Sequence, residues 1–412
     1  MEEIREYDIS KCPKIPLTDL VEYIVDNRGK TVPTTNEGIK LIATNCIRNE
    51  YLYPLYEKVR YVSQQIYDTW FRAHPKPGDI IFVNKGGPGK TALVPDNLDF
   101  CIAQDMMAFH VKSDVIYNKY LLAVLRSRPI QQFILNSQVG TIIPHFKKEQ
   151  LKSLLIPLPD MTIQKRIGDF YFNISEKCEN NRKINENLEQ QAQALFKSWF
   201  IDFEPFKDGK FIDSELGPIP QGWRVGTLDE ICCFISRGIS PKYDETTEEF
   251  VLGQTCVRNN IVTLNNARKH RPKVKNEKWT RQWDVLINST GVGSLGRVGI
   301  VYFDKANVAF DSHLTVVRTK DDITKLYVGR NLLNRQLEIE NMAVGSTGQT
   351  ELPRDSVKSM PIIIPTHFVF KKFNELIKPM ALQMYHLINE NISLSKTRDT
   401  VLPKLMSGEI KV

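Results

Sequence analysis

The chain repeats itself, and that constrains its fold more than any other feature. Ala43-Thr-Asn-Cys-Ile-Arg-Asn49 returns as Gly253-Gln-Thr-Cys-Val-Arg-Asn259, 210 positions later. Arg28-Gly29 returns as Arg237-Gly238 at an offset of 209. Gly78-Asp-Ile-Ile-Phe-Val-Asn84 resembles Trp283-Asp-Val-Leu-Ile-Asn288, each ahead of a glycine-rich turn. Leu151-Lys-Ser-Leu154 pairs with Val357-Lys-Ser-Met360, and Ile184-Asn-Glu-Asn187 with Ile388-Asn-Glu-Asn391. One such match is chance. Five in the same order, with offsets held between 204 and 210, mark a tandem duplication.

Each copy reads as a mixed α/β globule followed by a long helix. Gly78–Val83, Asp284–Ile287 and Val298–Phe303 are short β-branched or aromatic runs bounded by Gly, Pro and Asn, and Lys119–Arg126 reads as helix. In the first long helix Ile163, Ile167, Phe170, Ile174, Lys177, Asn181, Ile184, Leu188, Gln191 and Leu195 step by four and three. In the second, Phe370, Phe373, Ile377, Met380, Met384, Leu387, Asn391, Leu394, Arg398, Val401 and Leu405 do the same. Two matched heptad stripes are expected to zip together antiparallel; the plainer alternative is that each packs on its own globule. Asn181, Gln191 and Asn391 on the seam could fix register or be tolerated imperfections, and Pro379 should kink the second helix or mark its start. A Pro-, Gly- and charge-rich stretch, Phe203–Pro220, reads as a linker. Helices of roughly 36–40 residues would make a rod of about 55–60 Å, giving a dumbbell with pseudo-twofold symmetry.

Two glycine motifs suggest catalysis and fail on context. Gly86-Gly-Pro-Gly-Lys-Thr91 ends like a phosphate-binding loop, but Asn84 stands where the first glycine belongs. Ala92-Leu-Val-Pro95 follows, which cannot start the helix that such a loop requires. Gly291-Val-Gly-Ser-Leu-Gly296 matches a dinucleotide fingerprint, yet the β-branched Arg297–Phe303 follows it, so these glycines turn one strand into another. The seven histidines are scattered without metal-ligand spacing, and hydrolase, metalloprotease, deaminase and amino-methyltransferase signatures are absent. No catalytic residue, cofactor site or metal site is expected. The seven cysteines, none in a CxxC, read as reduced and mostly buried thiols. The acidic Met1–Glu6 start does not resemble a secretory signal, and runs such as Ile362–Ile364 fall far short of the ~20 residues a membrane helix needs. The expectation is a soluble cytoplasmic protein without a membrane partner.

Charge permits a polyanionic partner without demanding one. The net charge is +7, and its densest segment holds Arg268, Lys269, Arg271, Lys273, Lys275, Lys278 and Arg281 with only Glu277 opposing along the chain. Phosphates neutralise such a run; a solvated loop is the plain alternative. In the first copy the candidates are Arg28, Lys30, Arg48, Asn49, Lys85, Lys90, His145, Lys147 and Lys148. The second copy adds Arg237, Arg258, Asn259 and Arg297. Taken singly, these read as ordinary surface charge ahead of DNA contacts. Two similar globules on a spacer suit double-stranded DNA with two separated half-sites, and globules that differ this much imply an asymmetric bipartite target.

Gln190-Gln-Ala-Gln-Ala-Leu-Phe-Lys-Ser-Trp-Phe-Ile-Asp-Phe-Glu-Pro205 resembles the end of the first long helix in specificity subunits of type I restriction–modification systems. Thr400-Val-Leu-Pro-Lys-Leu-Met-Ser-Gly-Glu-Ile410 resembles the end of their second. The approaches also look like that family: Gly140-Thr-Ile-Ile-Pro144 and Leu154-Leu-Ile-Pro-Leu-Pro159 before Gln164-Lys-Arg-Ile167, and Val344-Gly-Ser-Thr347 before Pro361–Pro365. Thr366-His-Phe-Val-Phe-Lys-Lys372 departs from it. The resemblance implies target recognition domains at 1–160 and 223–365, spacer helices at 161–202 and 366–407 with a tail to 412, and a linker at 203–222. It also implies a non-catalytic recognition subunit that docks two modification (methyltransferase) subunits and restriction subunits. S-adenosylmethionine, ATP and Mg would then belong to those partners and not to this chain. The alternative is a stand-alone bipartite DNA binder such as a repressor; an enzyme working through Gly86–Thr91 is a third reading.

Overall fold

A computed structural model describes residues 9–27, 29, 31–139, 144–271, 273–345 and 350–410. The chain divides into two compact units. One holds the chain up to Asn181 together with the segment from Glu390; the other is Arg182–Asn389.

The first unit is built on a four-stranded antiparallel sheet in the order Val21–Asp26, Met106–Val111, Ile80–Val83, Thr91–Leu93. A second sheet sets Ile39–Ile42 between Arg60–Val62 and Phe100–Ile102, the last pair parallel. Buried runs such as Ile80–Val83 need apolar cover on both faces. One face meets Asn118–Leu125, a helix buried from Tyr120 to Leu125, and the start of the first long helix, Met161–Phe200. That helix begins where Asp160 caps Ile163 N at 3.0 Å and Gln164 reaches back to the Pro159 and Val115 carbonyls. Gly168 lets it lie against the globule, because a Cβ there would come within 2.6 Å of Tyr120 N.

The second unit repeats the plan. Cys232–Arg237, Leu314–Thr319, Val285–Asn288 and Val298–Ile300 take the same order and are extended by Ile261–Val262 and Val257–Arg258. Phe250–Leu252 lies between Arg268–Lys269 and a parallel Val308–Phe310. The helix Lys325–Asn334 stands where Asn118–Leu125 stands in the first copy, and the Tyr120 and Tyr327 hydroxyls donate to the Pro157 and Ile363 carbonyls respectively. The linker stretch carries a small hairpin, Phe211–Ile212 with Ile219–Pro220.

Within each unit the long helices pair antiparallel and also cover their globule, so the two expected packings both occur. In the second unit Phe196 and Phe200 meet Phe373, the start of the second long helix His367–Ser407, and Tyr327 of the globule, with ring centroids 4.7–6.2 Å apart. Burying each such ring contributes about 1.5–3 kcal/mol. In the first unit Ser175 meets Arg398, while Asn181 donates to Asn391 Oδ1 (2.9 Å) and Asn391 to the Cys178 carbonyl (3.1 Å). These Asn contacts are specific to one register. Every position expected on the second stripe is buried or half-buried, and the helix runs unbroken through Pro379, which therefore does not mark its start.

The first stripe differs. Lys177, Ile184 and Gln191 are exposed, and Gln191 bonds only Asn187 one turn back. Tyr171, Phe172, Ser175, Glu179, Ala192, Phe196 and Phe200 are buried instead. A straight helix drifts about 20° per heptad from a strict 3.5 repeat, and this helix also buries a second face on a globule at each end. Among the described residues no helix is long and apolar enough to cross a membrane. The cysteines are free: Cys46, Cys101, Cys232 and Cys256 are buried, Cys12 and Cys178 half-buried, and Cys233 exposed.

Candidate nucleic-acid interface

In both copies the central strand ends in a glycine turn and returns as an antiparallel strand, so neither glycine motif opens a helix. Gly86 (φ 76°) and Gly291 (φ 95°) occupy the left-handed region that a side chain strains to adopt. Backbone hydrogen bonds put the two turns in register. Asn84 N donates to Asp105 O and Ser289 N to His313 O; Phe146 N donates to Asn84 O and Leu352 N to Ser289 O. Val83 N takes Lys90 O at 2.8 Å, and Asn288 N takes Arg297 O at 2.9 Å. Lys85 bridges His145 as Thr290 bridges Glu351, and the same two residues pair with Val139 and Val344.

Equivalent positions carry different side chains around this common frame. In the first copy Lys85 Nζ stands 4.0 Å from Asp105, with His145 beside it. In the second, Thr290 Oγ1 is 2.8 Å from His313 Nδ1 and accepts from Gln254 Nε2 at 2.6 Å, with Glu351 beside it. Arg237 holds Glu351 at 2.7 Å and also donates to the Ser312 and Leu352 carbonyls. The base of the turn keeps a cation in both, Lys90 exposed and Arg297 folded onto Gly293 O at 2.7 Å. Asp105, Thr290, His313 and Glu351 were missed in the sequence because the residues are far apart along the chain; the repeat, followed strand by strand, is the signal that would have found them.

The basic segment is less charged in space than along the chain. Its strand is latched by the acidic loop before it: Arg271 pairs with Asp244 (2.7 Å), Lys269 with Glu248 (3.3 Å), and Arg268 stacks on Tyr243. Hydrogen bonds from Thr246 and Arg271 hold the Asp244 carboxyl well below the usual carboxylate range. Lys278 turns inward to Ser236 Oγ (2.6 Å) and the Arg237 carbonyl, and burial pulls its ammonium down. Arg318 braces the segment from beneath through the Glu277 and Trp279 carbonyls while gripping Asp284 with two bonds, 2.7 and 2.6 Å. Burial pushes the Asp284 carboxyl up, against the pull of Arg318. Lys273, Lys275 and Arg281 are left exposed.

Of the other candidates, Arg48 is paired with Glu57, Lys148 with Asp26 at 3.3 Å, and Asn49 accepts from Thr91 N at 2.8 Å. These are tied into the globule. Lys147, Arg258 and Asn259 are exposed, the last with φ 50° in a tight hairpin. Arg28 and Lys30 lie outside the described residues. Among the described residues no group of three or more His, Cys, Asp and Glu could hold a metal ion.

Two copies of one α/β frame, each carrying polar and charged side chains around a glycine turn, define an internally duplicated protein. The type I restriction–modification DNA specificity domain matches residues 14–190. The MjaIX specificity subunit of Methanocaldococcus jannaschii is 27% identical over all of this chain and 97% of its own length. The HindI specificity subunit of Haemophilus influenzae is 22% identical over 81% of this chain and 87% of its own. The crystal structure of a type I restriction–modification S subunit from M. genitalium shares the fold, with a TM-score of 0.55, 16% identity and 95% of each chain covered. The chain thus carries a type I restriction–modification DNA specificity domain and is similar to the specificity subunits of those systems over its whole length, and the repressor reading has no support.

Proposed function

We propose that the chain reads an asymmetric bipartite site on double-stranded DNA, one half with each globule, for a complex of two modification subunits and restriction subunits in the cytoplasm. Residues 1–160 and 223–365 act as the target recognition domains; 161–202 and 366–407 set their spacing, and 203–222 links the copies. S-adenosylmethionine serves the modification partners, ATP and Mg the restriction partners. One observation carries the reading: turns with matching backbone hydrogen bonds offer Lys85, Asp105 and His145 in one globule and Thr290, His313 and Glu351 in the other. A frame held by backbone bonds with altered exposed chemistry suits two different half-sites.

The test is a methylome. The chain is co-expressed with its modification subunit in a methylation-free host, and N6-methyladenine is mapped by single-molecule sequencing. A split asymmetric motif with a fixed gap, lost when the chain is omitted, is expected. A continuous motif, or methylation independent of the chain, would overturn the proposal.

A further inference from the structure

The equivalence of the two turns separates positions that keep their chemistry from positions that change it, and base reading belongs to the second kind. At the base of the turn both copies carry a cation, Lys90 and Arg297, bound into the frame by matching backbone bonds. A cation in the same place at two half-sites of different sequence suits phosphate, which is the same everywhere on DNA. Flanking it, three equivalent pairs change: Lys85 to Thr290, Asp105 to His313, His145 to Glu351.

We infer that these three positions determine the sequence of each half-site. They are accessible, with the Lys85, Asp105 and Glu351 side chains 49, 40 and 60% exposed, and they rise from a strand end, a tight turn and a two-residue bridge that fix their backbones. They are also oriented. Gln254 and His313 hold the Thr290 hydroxyl, Arg237 holds one oxygen of Glu351, and Asp105 faces the Lys85 ammonium. The chemistry assigns different bases. Lys85 donates, which suits the O6 and N7 acceptors of guanine. Glu351 accepts, which suits the exocyclic amino group of cytosine. The half-site of the first globule therefore contains a guanine read by Lys85, and that of the second a cytosine read by Glu351.

The inference rests on the proposed bipartite reading, and the methylome separates the two. Glu351→Gln and Lys85→Gln leave the backbone frame in place, and each is expected to relax the motif at one base pair, in different halves. Discrimination there should fall by roughly 5- to 150-fold, the equivalent of one base contact. Thr290→Lys/His313→Asp/Glu351→His should rewrite the second globule's half alone, leaving the gap and the other half unchanged. Lys90→Gln and Arg297→Gln should lower methylation at all sites alike without altering the motif. A parent with no split motif would sink the bipartite reading and this inference with it. A parent with a split motif that both single variants preserve would sink the inference alone, as would both singles relaxing the same half.

Discussion

The buried pair of Arg330 and Glu189 joins the first long helix to the second globule, and its environment predicts unequal costs for removing its two members. Arg330 is fully buried; it donates to Glu189 Oε2 and, at 2.5 Å, to the Tyr302 hydroxyl, while its Nε has no partner. Glu189 is 16% exposed and also accepts from Asn260 and Gln193, each at 3.2 Å. Glu189→Ala therefore strands a guanidinium with one neutral acceptor and no water, a cost of about 3–5 kcal/mol. Arg330→Met strands a carboxylate that keeps two amide donors and some solvent, costing about 1–3 kcal/mol. Glu189→Leu/Arg330→Met removes both charges and should return close to the parent, because the pair's attraction roughly offsets its desolvation.

Urea unfolding followed by tryptophan fluorescence reads this well, since Trp199, Trp223, Trp279 and Trp283 all belong to that unit and only Trp70 does not. With a slope of about 2–3 kcal/mol per molar, a loss of about 4 kcal/mol moves the midpoint by roughly 1.3–2 M. Arg330→Met costing more than Glu189→Ala, or a double variant as unstable as the two losses added, would refute the reasoning.

Two further outcomes follow from the charges. Lys273→Gln/Lys275→Gln should reduce the slope of log K against log salt for duplex DNA by about 1.8, roughly 0.9 per phosphate contact, whereas Lys269→Gln/Arg271→Gln should leave it unchanged because those cations are already paired; equal effects would contradict the sorting of the segment. His74 stacks on Tyr67 (3.7 Å between centroids), and burial lowers its pKa, so the unfolded chain binds more protons than the folded one. Its contribution is thus present above about pH 6.5 and lost as pH falls below it. His74→Phe should flatten that part of the stability profile between pH 7.5 and 5.5 by denaturant titration, and parallel profiles for parent and variant would count against it.

What the sequence made legible was whatever lies close together along the chain. Short matched strings exposed the duplication, and the second helix kept its 3–4 rhythm because its buried positions face one continuous seam. The first helix hid its face for a physical reason: Ser175 and Glu179 are buried although polar, so apolar periodicity passes over them. The basic run looked freer than it is because Asp244 and Glu248 reach it from an earlier loop. Around the glycine turns Lys85, Lys90, His145 and Arg297 stood out in the sequence, whereas Asp105, Thr290, His313 and Glu351 did not, for the same cause. Thr290, His313 and Glu351 meet only after three separate segments have folded together.

The duplication also shows how such a chain can diverge in recognition without losing its fold. Asp79 and Asp284 occupy the same register, each accepting a backbone N–H at 2.8 Å, from Lys76 and Arg281, and each meeting a side-chain nitrogen on the facing strand. That partner is His110 at 2.6 Å in one copy and the bidentate Arg318 in the other. An aromatic ring, Tyr23 or Phe234, covers it in both. Both aspartates are nearly inaccessible, 1 and 2% exposed, so any change there must preserve a paired, hydrogen-bonded carboxylate. The rim residues are largely solvated and pay no such penalty. Stability is thus set by buried nodes that admit only matched exchanges, while the rim of the turn changes sign, donor and acceptor freely. A single frame can carry two different rims because the residues that hold it together are not the ones on the rim.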